Sequence, residues 1–352
     1  MHYTAPLCSG KFLHFQVKRT MTSTSGIPRV SVLVTTYNQA RYVEEALNSL
    51  RDQTSRDFEV IITDDASSDG TGDIIEAWLG RSGYSAQFIR NPENSGICAN
   101  RNAALALSSG TFVCFLSGDD RFESTRIERQ LEFFLAQPAQ IAAVYSDMLV
   151  VDTEGRPNAR SYLNAALDGM PPPQGEVFFR LLAKNFLPGP AVMIRRSAIA
   201  AVGGYDESLF YEDFDMWLRL SFRFHFAYLP GLLVRYRMHE NSMWHRNRLL
   251  MYRCRSQVLA KWLNADLDGN VRQIVLHRLL RNGVTQLLGK DCTGARETFN
   301  NILIADRRLV PRLLAQLGML RGAGTLARAL LPFYRYYRSF KKPLLRAGRA
   351  VE

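Results

Sequence analysis

The sequence predicts an α/β protein with a mostly parallel, doubly wound sheet flanked by helices, followed by a helical C-terminal extension. Three observations support this prediction. From Arg29 onward, short apolar runs alternate with stretches of helical periodicity, as expected for successive strands and helices of a parallel sheet. Turns rich in Asp, Asn, Ser and Gly follow several of the apolar runs. Beyond His245, apolar residues recur at helical spacing and no strand pattern remains.

Strands and helices alternate through the first half of the predicted domain. Residues 30–35 are rich in Val and Leu, which predicts a buried first strand. Residues 40–50 repeat apolar residues at intervals of three and four, which predicts a helix. The further predicted strands are 58–63, 86–89 and 111–116. The further predicted helices are one through Ile74, Ile75 and Leu79, then 97–107 and 126–136.

The second half of the domain is less regular. After a strand at 142–147, a Pro- and Gly-rich stretch at 169–173 indicates a surface loop, and 191–195 resumes as a strand. Residues 211–221 predict a helix, since acids in its first turn and Arg219 near its end complement the helix dipole. Two short strands, 224–228 and 232–237, complete the domain.

Composition limits the class of protein and its location. Hydrophobic residues make up 47% and charged residues 22% of the 352 residues, as in globular proteins and unlike disordered ones. We expect a flexible leader at 1–28, in which Met21 is a second candidate start, an α/β domain at 29–245 and a basic helical region at 246–352. No uncharged apolar run approaches the ~20 residues that span a bilayer, and the five scattered cysteines include no CxxC pair. These features favour a cytoplasmic protein.

The net charge of +11 is uneven. Residues 246–352 carry 21 Lys and Arg against 6 Asp and Glu, whereas residues 1–245 carry 23 against 27. Within 311–349, Leu-rich faces are mixed with cations and aromatic residues, which suits an anionic membrane surface on the cytosolic side. A solvated helical face packed on the α/β domain is the alternative. Nucleic acid is not an expected partner, because no zinc spacing or aromatic RNA-binding motif accompanies the charges.

Two adjacent carboxylates, Asp119 and Asp120, directly follow the strand predicted at 111–116. Adjacent buried carboxylates repel each other and lose solvation, and a bound divalent cation would offset that cost. Oxygen ligands suit Mg²⁺ or Mn²⁺, which take further ligands from phosphate and water. The alternative is an ordinary turn in which an Asp caps the next helix.

Two further polar clusters end the first and second strands. Residues 35–38 could hydrogen-bond a nucleotide base while Tyr37 packs on it. Residues 64–71, which begin with two Asp residues, could present a carboxylate to a ribose or a base. Both clusters also have a structural explanation, which is capping for the first and an Asx turn with a helix N-cap for the second.

Acids and cations recur near the end of the domain. Asp213 lies in the first turn of a predicted helix, where it could take a proton from an acceptor hydroxyl or only complement the helix dipole. Arg237 and His239, two apart on a strand, point to one face and could both contact a diphosphate. A surface Arg and a hydrogen-bonded His are the alternative. Candidate sites for a nucleotide base, a ribose, a metal, a proton acceptor and a diphosphate thus follow in order at the strand ends of one sheet. This order favours displacement at an anomeric carbon.

These motifs resemble those of family 2 glycosyltransferases, which have the Rossmann-like GT-A fold. The resemblance covers roughly residues 29–240, and its motifs are VSVLVTTYN at 30–38, TDDASSDGT at 63–71, NSG at 94–96, ANRN at 99–102, GDD at 118–120, ED at 212–213 and WLR at 217–219. It implies a GT-A catalytic domain at 29–245 that transfers a sugar, with inversion, from a UDP- or dTDP-linked donor to an acceptor hydroxyl. Bacterial cell-surface polysaccharide or glycolipid synthesis is the expected setting, with a glycan, lipid-linked glycan or protein as acceptor.

The resemblance also implies roles for single residues. Those expected to contact the nucleotide are Thr35, Tyr37, Asp65, Arg101 and Asp119. Asp119 and Asp120 would hold the metal, Mg²⁺ or Mn²⁺. Asp213 would be the catalytic base, and His239 would contact the diphosphate or the metal.

The chain departs from the family pattern at Ser117, where many relatives carry an acid. The sequence therefore leaves open which carboxylate binds the metal directly. The Gln-x-x-Arg-Trp motif of processive synthases is absent, which favours one sugar per encounter. The alternative function is a non-catalytic nucleotide-sugar or glycan binding protein of the same fold. Loss of Asp120 or Asp213 would have favoured that alternative, and both are present.

Overall fold

The computed structural model of the protein describes residues 2–6, 12–16, 18–19, 29–211, 213–263 and 269–305. It divides the chain into two compact units, residues 1–246 and 247–352. The basic stretch 311–349, for which the sequence predicts membrane contact, and the second candidate start, Met21, lie outside the described residues.

The first unit contains eleven strands among its described residues. The strands are β1 (His2–Pro6), β2 (Phe12–Gln16), β3 (Lys18–Arg19), β4 (Val30–Thr36), β5 (Phe58–Asp64), β6 (Gln87–Arg90), β7 (Phe112–Ser117), β8 (Arg121–Phe122), β9 (Ile141–Val151), β10 (Val192–Arg195) and β11 (His225–Arg237). Strands β3 to β11 form one sheet in the order β3-β6-β5-β4-β7-β10-β9-β11-β8, and β1 and β2 form a separate antiparallel pair.

The helices of this unit connect the strands. They are α1 (Val43–Arg51), α2 (Thr71–Ser82), α3 (Ile97–Leu107), α4 (Arg126–Leu135), α5 (Tyr162–Ala166), α6 (Phe178–Ala183), α7 (Arg196–Ala201), α8 (Asp213–Arg223) and α9 (Met243–Arg246), with a 3₁₀ turn at Gly189–Ala191. The prediction of a mostly parallel α/β sheet flanked by helices is confirmed, because β6, β5, β4 and β7 run parallel.

The central strand explains why the sheet forms here. Every residue of β4 is buried, which is typical of a parallel strand covered on both faces. Val32 and Val34 pack with Leu47 of α1 and Trp78 of α2 in one apolar core. Because β5, β4 and β7 are parallel and in register, their carboxyl ends lie together at one edge of the sheet.

One part of the first unit differs from the sequence prediction. The two strands predicted at 224–228 and 232–237 are one strand, β11, whose pairing with β9 shifts between Tyr228 and Leu232. The turn residues Pro230 and Gly231 (φ 137°) interrupt the ladder there, which explains the apparent gap in the sequence. Within 1–28, where the sequence predicts a flexible leader, the described residues form β1, β2 and β3, and β3 pairs with β6.

The second unit is helical throughout its described residues. Its helices are α10 (Arg248–Leu263), α11 (Gly269–Leu288) and α12 (Cys292–Ala305). Gly283 of α11 lets that helix approach α12 closely, since a Cβ there would lie 2.6 Å from the ring of Phe299. Across the described ranges of both units, no helix combines the length and apolar character needed to cross a membrane.

Candidate active site

The first two loops at the carboxyl edge of the sheet are joined by side-chain hydrogen bonds. Asn38, which follows β4 with φ +51°, accepts a bond from the Ser68 backbone N–H at 2.9 Å, and the Ser67 hydroxyl accepts one from the Asn38 N–H at 2.9 Å. Tyr37, which precedes Asn38, is 49% exposed, whereas Thr35 is buried. The loops therefore present a rigid edge with one exposed aromatic ring, at the place where the sequence predicts a nucleotide base.

The acids after β5 are bonded to neighbouring backbone and side chains. Asp64 accepts hydrogen bonds from the Thr36 and Ser67 hydroxyls. Asp65 accepts from the backbone N–H groups of Ser95 at 2.8 Å and Gly96 at 2.9 Å. Asp65 thus joins the loop before α3 to the end of β5. Because its oxygens already accept these bonds, few lone pairs remain for the predicted contact with a nucleotide base.

The acids after β7 have fewer partners. Asp119 Oδ2 lies 3.0 Å from His239 Nε2, and Asp120 Oδ1 accepts a bond from the Arg237 backbone N–H at 2.9 Å. Asp120 Oδ2 is buried without a hydrogen-bond partner. Burial, and next the charge of Asp119, raises the pKa of Asp120 well above its usual value. Neither carboxylate caps α4, because Thr125 occupies its N-cap position, so the capping alternative does not apply.

The carboxylates of Asp119 and Asp120 suit a divalent cation, although the two alone do not make a complete metal site. Within the described residues, no three His, Cys, Asp or Glu side chains converge into a complete metal site. The unpartnered, buried Oδ2 of Asp120 nevertheless fits a cation, because a nearby positive charge would offset its desolvation. Mg²⁺ and Mn²⁺ often take few protein ligands and complete their shells with phosphate and water.

Arg237 contacts the loop that carries Asp119 and Asp120 and stabilises it. Its guanidinium pairs with Glu45 at 2.6 Å and donates to the Asp119 backbone carbonyl at 3.1 Å and the Thr153 carbonyl at 3.0 Å. Its side chain is only 4% exposed. The predicted contact of Arg237 with a diphosphate would require these bonds to be exchanged, whereas the imidazole of His239 already reaches a carboxylate of the acidic pair.

Asp213 is the first residue of α8 and lies between two other segments. Its Oδ1 pairs with Arg101 NH1 of α3 at 2.9 Å. Its Oδ2 faces Gly189 so closely that a Cβ on the glycine would lie 2.1 Å away. The structure therefore places Arg101, which the sequence predicts near the nucleotide, in contact with Asp213, the predicted catalytic base.

Tyr236 relates the two groups of carboxylates. Burial raises the pKa of its phenol above the usual range, and the charges of Asp120, Asp119 and Asp213 raise it further. The charges of the Asp119-Asp120 loop and of the first residue of α8 therefore act on the same phenol.

Sequence reasoning missed three residues of this region, which are Gln39, Gly189 and Tyr236. Gln39 donates a hydrogen bond to the Ser117 hydroxyl at 3.0 Å. The next residue, Gly118, leaves room for the Gln39 side chain, because a Cβ on it would lie 2.6 Å from Gln39 Oε1. Gly189 stands in a Pro-Gly-Pro run that signals a turn but not an approach to an acid. Tyr236 alternates with two arginines in an ordinary strand pattern. None of the three residues carries a sequence signal for its place in the site.

Comparisons with known proteins identify the family and the fold. The model of the family "Glycosyl transferase family 2" matches residues 31–203. TuaG of Bacillus subtilis (strain 168), provisionally named a teichuronic acid biosynthesis glycosyltransferase, is 38% identical over 108 residues. That match covers 31% of this chain and 42% of TuaG, so the chain matches less than half of the relative's length.

Two solved structures share the fold. TarS 1-349 of S. aureus in complex with UDP-GlcNAc has a TM-score of 0.61 at 21% identity, with 88% of this chain and 87% of TarS covered. The mannosyltransferase PcManGT from Pyrobaculum calidifontis, in complex with GDP-Man and Mn²⁺, has a TM-score of 0.56 at 19% identity, with 90% of this chain and 84% of that one covered. The chain therefore has the GT-A fold, and its residues 31–203 belong to glycosyltransferase family 2.

Proposed function

We propose that this chain transfers a sugar from a nucleotide-diphosphate donor to an acceptor hydroxyl, with inversion, in the synthesis of bacterial cell-surface polysaccharide or glycolipid. Membership of family 2 supports the transferase activity. The UDP-GlcNAc and GDP-Man bound by TarS and PcManGT support the class of donor. The name of TuaG, which refers to teichuronic acid, supports polysaccharide as the setting.

The buried and half-bonded carboxylate of Asp120 is the observation that carries this proposal. An unpartnered buried carboxylate costs stability, so its presence at the carboxyl end of a parallel strand favours a ligand-binding role. Such strand ends are where open α/β sheets bind ligands. A divalent cation is the ligand whose chemistry fits this oxygen best.

Asp120 and Asp119 would hold the cation, with His239 beside Asp119 orienting that carboxylate. Mn²⁺ or Mg²⁺ bound there would supply positive charge to the departing diphosphate. The Mn²⁺ bound by PcManGT supports this assignment. The brace from Arg237 to the Asp119 carbonyl would keep the loop from shifting as charge develops.

Asp213 would act on the acceptor side. Its carboxylate would take the proton of an acceptor hydroxyl as that oxygen attacks the anomeric carbon from the face opposite the nucleotide. A single displacement of this kind inverts the configuration. Tyr37, which is half exposed at the end of β4, would stack on the base of the donor.

A panel of nucleotide sugars tests the proposal. UDP-GlcNAc, UDP-glucose, GDP-mannose and dTDP-rhamnose would each be added with and without Mn²⁺, and the midpoint of thermal unfolding measured. A ligand at ~100 times its Kd stabilises the fold by about 2.7 kcal/mol. Release of nucleoside diphosphate in the presence of acceptor then measures turnover. Binding without turnover for any acceptor would favour the non-catalytic alternative, and no Mn²⁺-dependent shift with any donor would contradict the proposal.

A further inference from the structure

We infer that Arg101 and Gly189 together position the carboxylate of Asp213, one from each side, and are positioning residues for the transfer reaction. The inference rests on the proposed role of Asp213 as the base. It assigns Arg101 a different task from the nucleotide contact that the sequence predicts.

Arg101 acts on one oxygen. Its NH1 lies 2.9 Å from Asp213 Oδ1, and the two side chains are only 10% and 11% exposed. The guanidinium carbon lies 4.4 Å from the ring centroid of Phe115 and 5.4 Å from that of Tyr205, whose hydroxyl is 3.4 Å from NH1. Two aromatic rings therefore restrict the guanidinium, and a restricted planar donor also restricts the oxygen that it binds.

Gly189 acts on the other oxygen. A Cβ built on it would lie 2.1 Å from Asp213 Oδ2 and 3.0 Å from Cγ, closer than atoms of neighbouring residues approach. The residue is buried and its φ is not positive, so backbone conformation does not explain the glycine. Its missing side chain makes room for the carboxylate.

The two contacts come from different parts of the fold. Arg101 is on α3 and Gly189 begins the 3₁₀ turn before β10, whereas Asp213 begins α8. Oδ1 of Asp213 is bonded to Arg101 and Oδ2 lies against Gly189. Rotation of the carboxylate would therefore break the bond to Arg101 or the close packing on Gly189. Holding a base in one geometry is the kind of preorganisation on which turnover depends steeply.

Full-length variants test this inference. Turnover is measured as nucleoside diphosphate released from UDP-GlcNAc and from GDP-mannose with Mn²⁺, and the Kd of each is measured by calorimetry. Gly189→Ala is expected to lower turnover roughly 10²-fold, the cost of a displacement of about 1 Å, without changing the Kd. Arg101→Met is expected to do the same, and Arg101→Lys to retain part of the activity because it keeps the charge but not the planar fork.

The double variants separate positioning from general stability. In an Asp213→Asn background, Gly189→Ala and Arg101→Met are expected to lower turnover no further, because each acts through a carboxylate already removed. A merely structural role would lower turnover in both backgrounds and would overturn the inference. Gly80→Ala is the matched control, since a Cβ there meets nothing within 4 Å, and should change neither turnover nor Kd.

Two other results would also overturn the inference. One is a weaker Kd for both donors with unchanged turnover in Arg101→Met, which would make Arg101 a nucleotide contact. The second is additivity of Arg101→Met and Asp213→Asn in thermal unfolding, because residues in direct contact should be coupled. This unfolding cycle needs no turnover. Wild-type protein that turns over none of the four donors of the panel would therefore contradict the proposed function, while the cycle still tests the contact.

Discussion

Two pairs of adjacent acids lie at the carboxyl ends of two parallel strands, β5 and β7, which flank β4, and they differ in how many hydrogen bonds they accept. Asp64 and Asp65 end β5 and receive hydrogen bonds from hydroxyl and backbone N–H groups of the loops around them. Asp119 and Asp120 follow β7 and receive far fewer, so that Asp120 Oδ2 has no partner although it is buried.

This difference separates a structural pair from a candidate functional pair. A carboxylate that accepts several bonds holds loops together and stabilises the fold. A buried carboxylate oxygen without a partner costs about 1–3 kcal/mol, a cost that natural proteins accept mainly at functional sites. The two pairs should therefore respond to substitution in opposite ways.

The largest effect is expected at Asp120. Asp120→Asn keeps an acceptor for the Arg237 N–H but removes the charge that a cation would neutralise. We expect Mn²⁺-dependent binding of the nucleotide sugar to be lost, while the metal-free protein becomes more stable because a buried charge is gone. Calorimetry with and without Mn²⁺, and thermal unfolding in EDTA, measure the two effects. Equal Mn²⁺ dependence in variant and wild type would remove the distinction between the pairs.

The next largest effect is expected at Asp213, the proposed catalytic base, which pairs with Arg101. Asp213→Asn should lower turnover by at least ~10²-fold, the low end for loss of a general base, and leave donor binding nearly intact. Steady-state release of nucleoside diphosphate measures turnover and calorimetry measures binding. Near-normal turnover would show that the base lies elsewhere.

Asp65 should behave in the opposite way to Asp120. The Ser95 N–H donates to Oδ1 of Asp65 and the Gly96 N–H to Oδ2, so in Asp65→Asn, where one oxygen becomes an NH₂ group, one of the two donors loses its acceptor. We expect the free energy of unfolding to fall by about 1.5–3 kcal/mol, since these bonds have a charged acceptor. Chemical denaturation measures the loss, and Glu93→Gln, an exposed acid nearby, is the control. An unchanged stability would mean that the first pair is not structural.

The smallest effect is expected at Asp69, in the turn after β5. Burial opposes ionisation, but hydrogen bonds from Thr71 and the Ala40 backbone outweigh it and hold the pKa of Asp69 below its usual value. A lowered pKa in the folded state means that the contribution to stability is present above pH ~4 and is lost as the pH falls below that. The difference in unfolding temperature between wild type and Asp69→Asn should therefore shrink between pH 6 and pH 3. A difference that does not change with pH would exclude this cause.

Much of the fold could be predicted because the signals are local. The helix predicted at 97–107 matches α3, and the strands around it begin and end within a few residues of the observed ones. The two-residue strand β8 has no periodicity to detect. The continuous β11 was predicted as two strands because Pro230 and Gly231 resemble a turn in sequence, whereas pairing with β9 resumes beyond them.

The sequence by itself determined the order of strands and helices and the position of each acidic turn, because hydrophobic periodicity and turn chemistry act over a few residues. Only the tertiary structure decided which acids are satisfied. The donors come from far along the chain: Ser95 is 30 residues from Asp65, Arg101 is 112 from Asp213, and Arg237 is 117 from Asp120. Two identical Asp-Asp pairs therefore acquire different chemistry, since solvation and hydrogen bonding depend on which distant segments the fold brings to each.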